Sequence, residues 1–236
     1  MERVGSPLRW FILLLLFCTP LILLSLGIYG SFLFTFSIPI FWQLFICKKP
    51  ISSLGLTRIR VKPAVIAGLI SAVALALLGG SLIRLIGLSG YTYTETHSLQ
   101  FSFAGFNIVF PLERELGYRL LMRSDTWPGL LAYLIFSVFA IGLGEELFWR
   151  GFIQRKIAQR FSTTVSIWLT ALFFASIHFY IFAVLPAKTG LIFLSMIALV
   201  GIAWGYLFER FNNIWAPAIS HGVVAFVIWK YYFFTG

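Results

Sequence analysis

The 236-residue chain is 60% hydrophobic and 11% charged, with 26 Phe, 8 Trp and a mean hydropathy of +0.93. A soluble domain carries about 25% charged residues, so this composition excludes one and indicates a polytopic membrane protein. The formal charge of +10 would suit nucleic acid, yet the cations lie between apolar runs rather than in a patch, so they read as topology signals and no nucleic-acid partner is expected.

Residues 10–29 form the first predicted span, behind a short segment with Arg3 and Arg9. The run is too long for a signal peptide and no small-x-small cleavage site closes it, so a retained helix is expected. A second span, 31–47, is interrupted by Pro39 and followed by Lys48, Lys49, Arg58, Arg60 and Lys62, which mark a cytoplasmic connection. Cys18 and Cys47 lie inside these apolar segments, without disulfide or metal-type spacing. The third span, 64–88, carries Gly79 and Gly80 where another helix can approach, and Arg84 near its far end.

Between 89 and 127 the composition turns polar, with Glu95, Glu113, Glu115 and Asp125 set against Arg114, Arg119 and Arg123. This connection belongs outside the hydrocarbon, and 111–121 within it has the two-sided pattern of an interfacial helix. The fourth span begins near Pro128; 163–183, 191–208 and 214–232 make the fifth, sixth and seventh. Asn212 and Asn213 can cap the last helix, and Pro217 falls early enough in it to be tolerated. The expected fold is an all-α membrane bundle of about seven (6–8) transmembrane helices. It forms one integral membrane domain, with 1–127 supplying N-terminal spans and the connection, and 128–236 the functional core. Arg150, Arg155, Lys156 and Arg160 form a second basic cluster. An N-terminus in the cytoplasm places both clusters inside, as expected of a multi-pass protein of the cell membrane.

The fourth span carries Gly142-Leu-Gly-Glu145-Glu146-Leu-Phe-Trp149-Arg150-Gly151. A charge at the centre of a bilayer costs about 2.5–3.5 kcal/mol on insertion scales, so these side chains are functional candidates. Glu146 and Arg150, at i and i+4, share a helix face and are expected to form a structural pair; Glu145 points about 100° away, with no cation of its own. That isolation suits a general base or acid. Gly142 and Trp149 flank Glu145 on its face, an arrangement expected to leave room for water beside it. Phe174 and His178 share a face of the fifth span, and His221 lies in the seventh between Ser220 and Gly222. All must face the bundle interior to avoid lipid, so the fourth, fifth and seventh spans are expected to be neighbours.

These residues support more than one chemistry. Peptide hydrolysis in a membrane needs a base for water, a donor for the oxyanion and a proton for the leaving amine, which the Glu and His side chains can supply. A Ser-His-Asp site lacks a Gly-x-Ser-x-Gly elbow and any Asp in a span. Zinc held by Glu145, His178 and His221 is an admissible His₂Glu set without a His-Glu-x-x-His motif. A non-proteolytic transporter, immunity protein or scaffold is the other class, though no inverted repeat or pair of broken helices supports transport.

The ordered set Glu145-Glu146-x-x-x-Arg150, Phe174-x-x-x-His178 and His221 resembles the CPBP family of intramembrane proteases. That family includes the CAAX-prenyl endopeptidases and the bacteriocin-processing and immunity proteins called Abi. The resemblance covers roughly 128 to the end, with Ile51-Ser-Ser-Leu-Gly-Leu-Thr as a weak further echo. It implies an intramembrane endopeptidase of glutamic type, without a metal cofactor. Glu145 would activate water, His178 and His221 would bind water or the oxyanion, and Glu146 with Arg150, supported by Phe174, would hold the geometry. The implied partners are the lipid bilayer and a membrane-anchored protein or peptide: a prenylated tail, a leader, or a C-terminal sorting anchor. One position departs. The family carries Asn or Asp four residues after the last histidine, where this chain has Ala225. Loss of one oxyanion donor costs about 10²- to 10³-fold in rate, so Ser220 or Ser176 would have to replace it, the substrate geometry would differ, or the protein would be a pseudoenzyme. At about 1.5 Å per residue, His221 would lie about 10 Å from the basic edge, and His178 about 22 Å if its helix starts at Thr163.

Overall fold

Every fourth residue from Ala64 to Gly80 is small, and this decides how the third predicted span packs. In the computed structural model it is the helix α2, Val61–Leu85, with Ala64, Gly68, Ala72, Ala76 and Gly80 buried on one side. The large side chains Ile66, Leu69, Ile70, Val73 and Leu77 face outward. Small residues inside and large apolar ones outside are the arrangement of a bundle whose solvent is lipid. The small stripe receives the last helix, α6 (Trp215–Ile228). A Cβ on Gly68 would lie 2.6 Å from the Ala216 carbonyl oxygen, whereas one on Gly79 would be 3.5 Å from Ile228. The closer approach therefore falls at Gly68 rather than at Gly79.

The structure describes residues 37–85, 98–103, 106–111, 125–179, 182, 185–228 and 230–231. Besides α2 and α6 (Trp215–Ile228), the helices are α1 (Ser37–Ile46), α3 (Trp127–Ala158), α4 (Thr163–Ser176) and α5 (Ala187–Phe211). The expected all-α class holds. The one addition among the described residues is an antiparallel hairpin in the long connection, β1 (Ser98–Phe103) with β2 (Phe106–Pro111), which the sequence reading did not anticipate. Of the expected interfacial helix only Pro111 is described, as the end of β2; the remainder and the predicted first span, 10–29, lie outside the described residues.

Helices α2, α3 and α5 are long and apolar enough to cross a membrane, while α1, α4 and α6 are shorter apolar helices. The largest correction concerns the fifth span, expected over 163–183. Helix α4 ends at Ser176, after 14 residues, about 21 Å of rise against a hydrocarbon core of about 30 Å. The chain then turns through Ile177 and His178 before α5 begins. Helix α6 packs on α2, α3 and α5, and α4 packs between α3 and α5.

Helix α3 changes pitch. Ser137–Gly142 and Leu147–Gln154 are wide π-helical turns on either side of the α-helical Leu143–Glu146. Such turns are rare and tend to occur at functional sites. All eight residues of Leu147–Gln154 are buried, and Leu147, Phe148, Trp149, Phe152 and Ile153 form the apolar core with Leu54, Phe174, Trp204, Phe208 and Ile214.

The two basic connections meet at one end of the bundle. The turn Ile51–Leu54 runs into Gly55 at φ 89°, a left-handed conformation that glycine adopts readily. The Gly55 carbonyl accepts the Ile214 N–H at 3.0 Å. Asn213 donates to the carbonyls of Thr57 and Ile59 at 3.2 and 2.8 Å, and its Oδ1 accepts the Trp215 N–H at 2.9 Å, capping α6 as expected. Asn212, in the left-handed region at φ 47°, ends α5, and Arg155 binds the Ser53 carbonyl and Asn212 Oδ1. Arg150 is no part of this surface cluster; it is fully buried.

Candidate active site

Each candidate side chain is positioned by a local feature of its helix. Glu145 and Glu146 sit in the short α-helical stretch between the wide turns of α3. Gly142, one turn earlier, lets α6 cross: a Cβ there would lie 2.2 Å from the Ala218 carbonyl oxygen and 2.8 Å from the Gly222 nitrogen. Reciprocally, a Cβ on Gly222 would lie 2.4 Å from Val138 Cα. Gly142 therefore brings His221 of α6 against the carboxylates. It does not open space for water, as the sequence reading held, and Trp149 on the other flank is packed edge-on against Phe148 and Phe174.

His221 stands between the two carboxylates. Its Nδ1 is 2.8 Å from Glu146 Oε1, and its Nε2 is 3.9 Å from Glu145 Oε2. Glu146 Oε1 also accepts from Arg150 Nη1 at 2.7 Å, with neither side chain exposed. The expected i,i+4 pair is present, and Glu146 has a second duty as the anchor of His221. Glu145 keeps 19% of its side chain exposed against none for Glu146, so Glu145 is the carboxylate that a water or substrate can reach. Its Oε2 is buried without a hydrogen-bond partner among the described residues.

His178 lies just past the end of α4, and its Nδ1 is 2.8 Å from the Phe174 carbonyl oxygen. A carbonyl only accepts, so Nδ1 carries the hydrogen there, satisfying a carbonyl at the helix end. By the same reasoning His221 Nδ1–H donates to the Glu146 carboxylate. Both imidazoles are thus fixed through Nδ1, and in neutral form both present Nε2 as an acceptor. The Phe174 ring stands between them, 4.9 Å from the His178 ring and 5.7 Å from the His221 ring. The two histidines, counted from the sequence as lying at different depths, are thus brought to the same aromatic ring.

The sixth predicted span contributes what sequence reasoning missed. Arg150 Nη2 donates to the Gly201 carbonyl at 2.9 Å, and the guanidinium lies over the rings of Phe174 and Trp204 at 5.0 and 5.5 Å. One turn along, the fully buried Gln154 donates to Glu209 at 2.8 Å and to the Gly205 carbonyl at 3.4 Å. Trp204 stacks on His221 at 4.0 Å between centroids and 18° between planes. The overlooked signal was Gly201-Ile-Ala-Trp204-Gly205, a small-xxx-small pattern that admits a close neighbour. A Cβ on Gly201 would come within 3.3 Å of Arg150 Nη2.

Neither serine suggested as a stand-in for the amide absent at Ala225 is available. Ser220 Oγ accepts from Trp204 and donates to Ser71, each at 3.0 Å, and Ser176 Oγ donates to the Phe173 carbonyl at 2.8 Å. Among the described residues no three His, Cys, Asp or Glu side chains are grouped so as to hold a metal ion.

The geometry is that of two carboxylates, a guanidinium and two oriented imidazoles buried in an apolar helix bundle. No curated protein and no solved structure matches the chain. Residues 127–227, from the start of α3 almost to the end of α6, match the family model described as "Rce1-like: Type II CAAX prenyl endopeptidase Rce1-like". This segment, which holds every residue of the candidate site, is similar to the CPBP/CAAX protease family.

Proposed function

We propose that this chain is a membrane protease of glutamic type, with Glu145 activating the water that attacks the scissile peptide bond. The observation that carries the reading is the placement of His221 between Glu146 at 2.8 Å and Glu145 at 3.9 Å. The longer distance exceeds a direct hydrogen bond and suits a bridging water. Such a water donates one hydrogen to Glu145 and the other to His221 Nε2, and its lone pair then faces the carbonyl carbon. Glu145 takes a proton as the oxygen attacks and delivers it to the leaving amine. His221 Nε2 thus holds the attacking water, and it could serve the oxyanion only when it carries a hydrogen itself. His178 Nε2 binds water at the other side of Phe174.

The substrate is a membrane-anchored protein or peptide with its scissile bond near or within the bilayer, such as a prenylated tail, a leader or a C-terminal sorting anchor. Both basic connections lie at the same end of the bundle through Arg155, Asn212, Asn213 and the turn at 51–55, which supports a cytoplasmic N-terminus with both clusters inside. The reaction proposed needs no metal.

A cleavage assay on membrane-anchored substrates, comparing the wild type with Glu145→Gln, tests the assignment. The variant preserves shape and removes the base, so turnover should vanish with expression and thermal stability near normal. Full turnover by Glu145→Gln on any substrate the wild type cleaves would end the proposal.

A further inference from the structure

We infer that Trp204 is the positioning residue that holds the His221 ring in register between Glu146 and Glu145, itself held in place by a hydrogen-bond relay through Ser220 to Ser71. This deepens the role proposed above for His221, and it rests on contacts from a helix that contributes no titratable group to the site. The indole of Trp204, on α5, lies nearly parallel to the imidazole at 4.0 Å. Its Nε1–H donates to Ser220 Oγ on α6 at 3.0 Å, and that hydroxyl donates to Ser71 Oγ on α2 at 3.0 Å. Ser220 precedes His221 in sequence, so the relay fixes the indole to the same turn of α6 that carries the imidazole. Three helices are thereby tied at the depth of the catalytic groups. Trp204 and Ser220 are buried, so the bond between them has no competition from water.

A flat stack does two things for an imidazole. It blocks rotation of the ring about its Cβ–Cγ bond, so the Nδ1 contact with Glu146 and the facing of Nε2 toward Glu145 persist together. It also presents the electron-rich face of the indole to the cation formed when Nε2 takes a proton. The charged and titratable groups facing His221 are Glu145, Glu146 and Arg150 from α3 and His178 from the turn after α4; α2 contributes Ser71, and α5 contributes the indole. One turn beyond the histidine, on the same face, this chain has the buried Ala225, which offers no hydrogen-bonding side chain.

The test uses the full-length protein in detergent, with Trp204→Leu, Trp204→Phe and Ser220→Ala measured beside Glu145→Gln. Loosening of the imidazole by about 1 Å costs about 100-fold, so Trp204→Leu should lose about that much kcat with KM little changed. Trp204→Phe keeps an aromatic face and loses the N–H, and Ser220→Ala removes the acceptor; each should lose about 2- to 12-fold, the worth of one hydrogen bond. Nitrogen-15 histidine spectra give a second readout that needs no turnover. The downfield Nδ1–H signal of His221, assigned by its loss in His221→Asn, should disappear in Trp204→Leu and survive in Trp204→Phe. An unchanged kcat, or an unchanged Nδ1–H signal in folded Trp204→Leu, would overturn the proposal; should Trp204→Leu not fold, wild-type values in both Trp204→Phe and Ser220→Ala would do so. Turnover by Glu145→Gln alongside these losses would instead overturn the base assignment and leave Trp204 in its role.

Discussion

Replacing Arg150 by Met tests the interior of the site most directly, because the side chain is fully buried and its partners are defined. The guanidinium donates to Glu146 Oε1 at 2.7 Å and to the Gly201 carbonyl at 2.9 Å, and covers the Phe174 ring at 5.0 Å. Methionine fills much of the volume but leaves Glu146 charged and buried with only His221 against it. Breaking a buried pair on one side costs about 3–5 kcal/mol. At about 2–4 °C per kcal/mol for a chain of this size, the melting temperature in detergent should fall by about 6–20 °C. The double variant Glu146→Gln/Arg150→Met removes the stranded charge, and the glutamine oxygen can still accept from His221. It should therefore be more stable than Arg150→Met alone, with a coupling of about 1–3 kcal/mol. Thermal unfolding followed by size-exclusion monodispersity measures both. A fall below about 2 °C in the single variant, smaller than the loss of one ordinary hydrogen bond, would refute the reasoning. So would strictly additive losses in the double.

Gly142→Ala should reduce turnover by about 100-fold, since its Cβ falls 1.2 Å short of the 3.4 Å of ordinary contact with the Ala218 carbonyl and must push His221 away by a comparable distance; wild-type kcat would show that the crossing tolerates a side chain. Gly55→Ala combines a positive φ with a Cβ 2.6 Å from Phe208, so the melting temperature should drop while KM stays the same; an unchanged melt would contradict the strain argument. Activity should survive chelators, and purified protein should hold no stoichiometric zinc; zinc lost in parallel with activity would favour a His₂Glu metal site. After replacement of Cys18 and Cys47, cysteine pairs between 137–142 and 218–222 should crosslink on oxidation, and failure at every depth would remove the packing of α3 on α6.

Much of the site was legible because burying charge in lipid is costly: Glu145, Glu146, Arg150, His178 and His221 stand out against an apolar background, and the i,i+4 rule assigned Arg150 to Glu146. Helix number was less legible. Apolar runs show where a chain can be buried but not where it turns, so 163–183 read as one span although α4 stops at Ser176 and His178 hangs from its end. Gly142 was read as space because a missing side chain looks the same in sequence whether water or a backbone fills it, and only the crossing of α6 decided that it is backbone.

Sequence by itself determined the membrane class, the inward-facing polar set and its order along the chain, all of which follow from local composition and periodicity. Tertiary structure alone decided the contacts between residues far apart in the chain. It gave Glu146 to His221 as well as to Arg150, brought the two histidines to opposite sides of Phe174, and laid Trp204 against His221. A tryptophan in an apolar span carries no excess cost to mark it, and its role exists only through the stack it makes.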